Sequence, residues 1–151
     1  MLNPTIAYVG SETVWPLRHA VFFAGKRLSA ARLPADKEAL HLCAVLPVPD
    51  TDLSAAAGVI AVASVYPQAQ APARLRFLAT DPQWRRQGLA LRLLGFLFAD
   101  PPPALRHGLV LHAESTLRPL YEQAGLHTDG AAYRRRNRDY LVFRRGPDLP
   151  A

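Results

Sequence analysis

At the start of the chain, apolar and polar positions follow first a strand-like and then a helix-like pattern. Residues 5–9 predict a short opening strand. Ser11 is the predicted N-cap of a helix whose apolar residues recur at helical spacing, and Gly25 is predicted to end it. Residues 27–40 have a mixed pattern and predict a short second helix.

Three strands in a row are predicted after this helical region. Residues 41–46 and 58–66 are apolar runs rich in Val, Ile and Ala, which suit buried strands. The residues between them, 47–52, have the composition of a turn. In residues 73–80, outward-facing arginines alternate with apolar side chains, so this strand is predicted to be half-buried, with Phe77 facing the core.

A long apolar helix is predicted over residues 84–99. Between Gly88 and Ala99 the only charged residue is Arg92, so the helix is predicted to be buried on most of its circumference. The prolines at 101–103 end it. Its predicted buried stripe consists of Leu89, Leu93, Phe96 and Leu97, widened by Ala90, Leu94 and Phe98.

The last third of the chain predicts a strand, a helix and a hairpin. Residues 109–113 form an apolar run, residues 116–124 predict a short helix that Gly125 ends, and two further strands are predicted around Asn137. Three strands, a helix, a strand, a helix and a closing hairpin predict an α/β sheet of mixed direction. We expect residues 1–151 to form one domain.

The composition is that of a globular protein, with 151 residues, 50% hydrophobic and 20% charged. No run approaches the ~18 apolar residues that span a bilayer, and the N-terminus lacks the pattern of a signal peptide. The single cysteine, Cys43, cannot form an internal disulfide, has no metal-ligand spacing around it, and is predicted to be a small core residue. We therefore expect a cytoplasmic protein without a membrane segment or a metal site.

The formal net charge is +6, and Lys26 and Lys37 are the only lysines, so the excess comes almost entirely from arginine. Arginines that cluster with exposed aromatic residues would indicate nucleic-acid binding. The alternative is a solvated surface or a positive potential for an anionic ligand. We favour the alternative, because only one dense cluster is present. That cluster consists of Arg134, Arg135, Arg136 and Arg138.

The most informative segment is 78–90, where a strand ends, a tight loop follows and a glycine precedes the long apolar helix. Free backbone N–H groups at a helix start, together with the helix dipole, attract an anion. Gly88 would let a phosphate approach without a Cβ in the way, and Arg85 and Arg86 add positive charge. The segment is therefore predicted to bind a diphosphate.

This segment resembles the signature of the GNAT acetyltransferases, in which Arg or Gln is followed by two residues, Gly, one residue, and Gly or Ala. Here it reads Arg85-Arg86-Gln87-Gly88-Leu89-Ala90, after a strand that ends Leu78-Ala79-Thr80-Asp81-Pro82. A second segment of that family often ends its later helix and reads Phe-Tyr-Glu-Lys-x-Gly-Phe. The matching run here is Leu120-Tyr121-Glu122-Gln123-Ala124-Gly125-Leu126. The resemblance implies a mixed, mostly antiparallel central sheet flanked by helices.

The resemblance also implies a function and a set of site residues. The chain would be an N-acetyltransferase that moves the acetyl group of acetyl-CoA directly to an amine, with Tyr121 protonating the departing thiolate. Backbone amides from Arg86 to Leu91 would bind the CoA pyrophosphate, and the main chain of Leu78 and Thr80 would pair with the pantetheine arm like an added strand. The implied donor-binding residues are Leu78, Ala79, Thr80, Arg85, Arg86, Gln87, Gly88, Leu89, Ala90, Leu91 and Ser115.

The sequence departs from the family pattern at positions expected to lie near the reacting groups. Ser115 stands where many members carry an Asn that contacts the pantetheine, and the strand before the signature offers arginines instead of a glutamate base. Acid–base candidates are His112, Glu114, Asp36, Glu38 and His41; relay of the amine proton through water is the alternative. These departures leave open a non-catalytic acyl-CoA-binding domain. The acceptor amine and the existence of a homodimer are also left open.

Overall fold

A computed structural model describes residues 3–47 and 57–146 of the chain. Within these ranges, seven strands form one sheet in the order β1-β2-β3-β4-β5-β7-β6, flanked by three α-helices. The strands are β1 Thr5–Val9, β2 Leu40–Val45, β3 Val59–Gln68, β4 Ala71–Thr80, β5 Leu109–Glu114, β6 Tyr133–Arg135 and β7 Arg138–Arg145. The helices are α1 Ser11–Phe22, α2 Leu89–Ala99 and α3 Arg118–Gln123. All neighbouring strands are antiparallel except β4 and β5, which confirms the predicted fold class.

The two faces of the sheet are covered differently. On one face, α2 and α3 bury a large apolar core that includes Leu75, Leu111 and Phe143. On the other face, α1 packs against β2, β3 and the end of β4, around Val14 and Cys43. The part of this second face formed by β5, β7 and β6 carries exposed side chains. Each half of the second face therefore has a different environment.

Strand β4 contains a bulge at Phe77. Ser64 pairs with Arg76 and Val62 pairs with Ala79, so two residues of β4, Phe77 among them, lie opposite one residue of β3. Phe77 has a φ of +57°, and the bulge turns its ring to the α1 face, where it contacts Phe22. The predicted core-facing orientation of Phe77 is therefore wrong, because the period-two pattern holds only without a bulge.

Strands β4 and β5 are paired only over a short stretch near the start of β5. Their parallel pairing covers only Ala73 with Leu109 and Arg74 with Val110 among the described residues. Both strands continue past these pairs, β4 to Thr80 and β5 to Glu114. The sheet therefore has a gap between its two central strands, open at their carboxyl ends.

The predicted helix over residues 84–99 begins later, at Leu89. The Asp81 side chain accepts a hydrogen bond from the Gln83 N–H at 2.9 Å and caps a 3-10 turn over Pro82–Trp84. Positive φ values at Arg86 and Gly88 then interrupt helical geometry. Burial on most of the helix circumference is confirmed, since the exposed residues of α2 lie on one stripe formed by Arg92, Gly95, Phe96 and Ala99. The predicted place of Phe96 in the buried stripe is wrong, because Phe96 is 37% exposed and packs against the exposed Tyr8.

Three further predictions about local structure need correction. The N-cap of α1 is Gly10, one residue before Ser11. Residues 27–40 form two 3-10 turns, at Leu28–Ala31 and Pro34–Lys37, and no α-helix. The helix predicted over 116–124 is a 3-10 turn followed by α3. The predicted opening strand, the buried strands and the hairpin around Asn137 are confirmed. The predicted turn at 47–52 lies outside the described residues from position 48 onward.

Candidate active site

The start of α2 presents free backbone donors. Gly88 is the N-cap with φ +75°, and the first intrahelical bond runs from the Arg92 N–H to the Gly88 carbonyl at 3.0 Å. The N–H groups of Leu89, Ala90 and Leu91 precede that bond and lack a partner four residues back. A Cβ built on Gly88 would meet no atom within 4 Å, so space inside the protein does not require glycine here. Glycine is favoured here by the positive φ and because it leaves the approach to the backbone amides unobstructed.

The predicted signature side chains surround this helix start. Arg85, Arg86 and Gln87 are exposed, whereas Leu89 is buried in the core below. The Arg85 Nε donates to the Thr80 carbonyl at 3.3 Å and ties the loop back to the end of β4. The fold thus brings the predicted anion-binding amides next to the end of the strand that borders the gap.

The backbone of β4 alternates between β3 and the gap. The Asp81 N–H donates to the Ile60 carbonyl of the β3 side at 2.8 Å. Because backbone groups alternate along a strand, Ala79 also faces β3, and Leu78 and Thr80 face the gap. An extended ligand in the gap could therefore pair with Leu78 and Thr80 as an added strand. Ala79 lies between these two residues, and its own backbone groups do not face the gap.

Tyr121 lies in α3, on the same apolar face as α2. The residue is only 6% exposed, and its ring packs against Phe143 with 5.0 Å between centroids. Burial raises the pKa of the Tyr121 phenol to about 12. A phenol with this pKa remains protonated at neutral pH and can donate a proton.

Ser115 lies at the carboxyl end of β5, the open end of the gap. It lines a cavity of about 320 Å³ between this end of β5 and the β6–β7 hairpin. The cavity also contains Glu114, whose carboxylate accepts from Arg138 Nη1 at 2.7 Å. Glu114, a predicted acid–base candidate, is therefore already held in an ion pair.

A buried polar cluster under α1 was not predicted from the sequence. Arg18 is fully buried, pairs with Asp36 at 2.8 Å, and also donates to the Ala31 carbonyl and the Ser64 hydroxyl. Tyr66 donates to the other Asp36 oxygen at 2.6 Å. One sequence signal was available: Arg18 lies on the helical stripe formed by residues 14, 17 and 21, which is the buried stripe of α1.

Asp36 is held as an anion in this cluster. Its burial opposes ionisation, but hydrogen bonds from Arg18, Tyr66, the Leu33 N–H and Trp15 outweigh that effect and lower the pKa of the carboxyl well below its usual range. A carboxylate stabilised in this way is a poor proton acceptor. Asp36 is therefore a structural residue.

His41 is satisfied on both ring nitrogens. Its Nε2 lies 3.0 Å from the Asp36 carbonyl oxygen, which can only accept, so Nε2 carries a proton. Its Nδ1 then accepts from the Ser64 hydroxyl at 2.7 Å. His41, an acid–base candidate from the sequence, is therefore a structural residue. The predicted core position of Cys43 is confirmed, since Cys43 is 1% exposed. Glu38, the remaining front candidate, is exposed.

His112 is the acid–base candidate at the gap. It lies on the uncovered part of the α1 face, exposed to solvent, with Nδ1 2.6 Å from the Tyr133 hydroxyl. Desolvation, and then the positive charges of Arg74, Arg144 and Arg135, lower the pKa of His112. The ring is therefore more readily available as an uncharged base than an ordinary histidine.

Across 3–47 and 57–146, no three His, Cys, Asp or Glu side chains come together as a metal-ligand set. None of the helices in those ranges is long and apolar enough to cross a membrane.

Solved structures with the same fold include several enzymes of acyl transfer. An acyl-CoA N-acyltransferase from Pseudomonas aeruginosa is 17% identical, with a TM-score of 0.65 over 97% of this chain and 100% of that chain. An aminoglycoside 6'-N-acetyltransferase complexed with coenzyme A is 12% identical, with a TM-score of 0.65 over 93% and 96%. A GNAT family acetyltransferase from Elizabethkingia anophelis with acetyl-CoA bound is 12% identical, with a TM-score of 0.62 over 94% and 97%.

The sequence comparisons assign the family. No curated protein sequence matches the chain significantly. The sequence profile described as "Acetyltransferase (GNAT) domain" matches residues 49–143, well over half of the chain. The chain therefore belongs to the GNAT acetyltransferase family, whose chemistry is acyl transfer from an acyl-CoA.

Proposed function

We propose that residues 1–151 form a single N-acetyltransferase domain that transfers the acetyl group of acetyl-CoA directly to an amine. The observation that carries this proposal is the continuous backbone surface from the open edge of β4 to the start of α2. It offers strand-type pairing at Leu78 and Thr80 and an anion site at Gly88. An acetyl-CoA molecule presents matching groups, an extended pantetheine arm and a diphosphate.

Donor binding would depend mainly on backbone groups. The N–H groups from Arg86 to Leu91 would donate to the pyrophosphate, with the positive side chains of Arg85 and Arg86 nearby. Leu78 and Thr80 would hold the pantetheine arm, and Ser115 would contact it from the end of β5. Acetyl-CoA supplies an activated acetyl thioester when bound. Residues of this chain position it beside the acceptor.

Tyr121 would act as the general acid. As the amine nitrogen bonds to the acetyl carbon, the carbon–sulfur bond breaks and the sulfur takes the proton of the Tyr121 hydroxyl. The amine gives up one proton to His112 or to water, so charge is balanced. The pKa of about 12 keeps Tyr121 protonated before the reaction, but it also makes the phenol a weaker acid than an ordinary tyrosine. Proximity to a developing thiolate would favour transfer only in the transition state. Tyr121 would regain its proton from solvent, to which the amine proton is released.

The alternative is a domain that binds acyl-CoA without catalysis. This alternative is favoured because two carboxylates that could act as the general base are held in ion pairs. Glu114 pairs with Arg138, and Asp36 pairs with Arg18. An exposed histidine would then be the remaining side-chain base close to the gap.

Two measurements distinguish these functions. Calorimetric titration with acetyl-CoA tests donor binding, and release of free CoA thiol in the presence of an amine panel tests transfer. Binding together with amine-dependent thiol release is the expected result. Binding without thiol release from any amine would support the non-catalytic alternative, and absence of binding would contradict both.

A further inference from the structure

Four exposed arginines lie on the α1 face of the sheet around His112, on its uncovered part and on the neighbouring strand β4. Arg74 and Arg76 lie on β4, Arg144 on β7 and Arg135 on β6. Val110 pairs with Arg74 on one side and with Arg144 on the other. Arg74 and Arg144 therefore lie on the same face as His112, which is two residues further along β5 than Val110. We call these four side chains the arginine face.

The charges of the arginine face are not neutralised within the described residues. The four ion pairs found there are Arg18–Asp36, Arg118–Glu122, Arg134–Asp139 and Arg138–Glu114. None of them involves a member of the arginine face. At the carboxyl end of β5, Glu114 is occupied by Arg138, and Asp139, which lines the same cavity, pairs with Arg134. The surface beside His112 therefore has a net positive potential.

The arginine face lies beside the mouth of the gap between β4 and β5. Arg76 and His112 are each two residues beyond the last paired positions, so they flank the opening from opposite strands. The Arg76 guanidinium lies over the Phe77 ring at 4.7 Å and near the Tyr66 ring at 5.9 Å, which restricts its position. An acceptor entering the gap from this face must pass these side chains.

We propose that the acceptor is an amine that also carries an anionic group, a carboxylate or a phosphate, which the arginine face binds. This inference rests on the proposed acetyltransferase function. Arginine is suited to both anions because its planar guanidinium donates two parallel hydrogen bonds. An amine without an anionic group would arrive as an ammonium ion and be repelled by the same charges.

The positive potential would also help the chemistry. Only the uncharged form of an amine can attack the acetyl carbon, and neighbouring cations lower the pKa of a bound ammonium group. The anionic group of the acceptor would offset the cost of bringing an amine to a cationic surface. The four arginines would thus select the substrate and favour its reactive form.

Matched amine pairs test the inference. L-phenylalanine is compared with 2-phenylethylamine, and O-phosphoethanolamine with ethanolamine, in the thiol-release assay; the first pair tests a carboxylate and the second a phosphate. We expect kcat/KM to be at least about 10-fold higher for the anionic member of one pair. Acetylation confined to amines without an anionic group would overturn this inference alone. Acetylation of no amine, despite acetyl-CoA binding, would overturn the proposed function and this inference together.

Variants locate the anion site. Arg76→Gln and Arg144→Gln should each raise KM for the anionic amine about 10-fold and leave acetyl-CoA affinity nearly unchanged. The control Arg106→Gln removes an exposed arginine at the opposite end of β5 and should change neither constant. Equal KM values for all three variants would overturn the assignment of the anion site to the arginine face. Submicromolar binding of single-stranded DNA at about 150 mM salt that Arg76→Gln abolishes would assign the face to nucleic acid instead.

Discussion

The two faces of the sheet present different kinds of chemical groups. On the face covered by α2 and α3, the side chains pack into an apolar core, and the features available to a ligand are backbone N–H and C=O groups at Gly88, Leu78 and Thr80. On the opposite face, side chains supply the features: a buried Arg18–Asp36 cluster and exposed arginines around His112. In the proposed function, backbone groups would therefore bind the donor, whereas side chains would select the acceptor.

The largest expected effect is loss of donor binding in Gly88→Glu. The substitution places a carboxylate where we expect the pyrophosphate and forces a side chain into φ +75°. Calorimetric titration with acetyl-CoA should detect no binding. Gly88→Asn separates strain from charge, because Asn tolerates the left-handed region and should retain measurable affinity.

Gly95→Glu is the matched control for this prediction. Gly95 lies in the same helix, and a Cβ there also meets no atom within 4 Å, but the position is away from the helix start. Its acetyl-CoA affinity should remain close to that of the unmodified protein. Tight binding by Gly88→Glu would contradict the assignment of this loop to the pyrophosphate.

The next largest effect is expected for Tyr121→Phe, which should lower kcat by about 10²–10⁴-fold, since this is the usual contribution of a general acid. Acetyl-CoA affinity should change little, because the hydroxyl acts only as the thiolate develops. Steady-state kinetics on an accepted amine measures the effect. Tyr8→Phe, an exposed tyrosine on β1, serves as the control. Unchanged turnover in Tyr121→Phe would assign Tyr121 to packing.

On the α1 face, Asp36→Asn should destabilise the protein by about 3–5 kcal/mol, because it leaves the buried Arg18 charge without a counter-ion. Denaturant unfolding measures the change. Asp139→Asn breaks the exposed pair with Arg134 and should leave stability almost unchanged. The double variant Arg18→Met with Asp36→Asn should be more stable than Asp36→Asn alone; if it is less stable, the unpaired charge is not the cause.

The smallest expected effect is a pH dependence of stability due to Asp36. Its pKa is lower in the folded than in the unfolded state, so its stabilisation is fully present above the ordinary carboxyl pKa of about 3.9 and is lost as the pH falls below it. The free energy of unfolding of Asp36→Asn should therefore approach that of the unmodified protein between about pH 5 and pH 2. A difference that stays constant with pH would exclude an ionised Asp36 as the stabilising group.

The secondary-structure elements and the loop before α2 could be predicted because their signals are local. Strand patterns, the turn at Asn137 and the glycine before α2 each depend on residues within a few positions of one another. The bulge at Phe77 had no such signal, since the residue fits a regular alternation and its positive φ results from pairing with β3. The helix start was misjudged for a similar reason, because capping by Asp81 competes with apolar periodicity.

The sequence by itself determined the order of strands and helices, the apolar face and the segment that carries the family signature, because hydrophobic periodicity and turn chemistry act over short stretches of chain. Only the tertiary structure decided which polar residues meet. Arg18, Asp36 and Ser64 are far apart in the chain yet form one buried cluster. The arginines of β4, β6 and β7 surround His112 only after the strands pair in register. Charge interactions depend on distance in space, and strand pairing sets that distance.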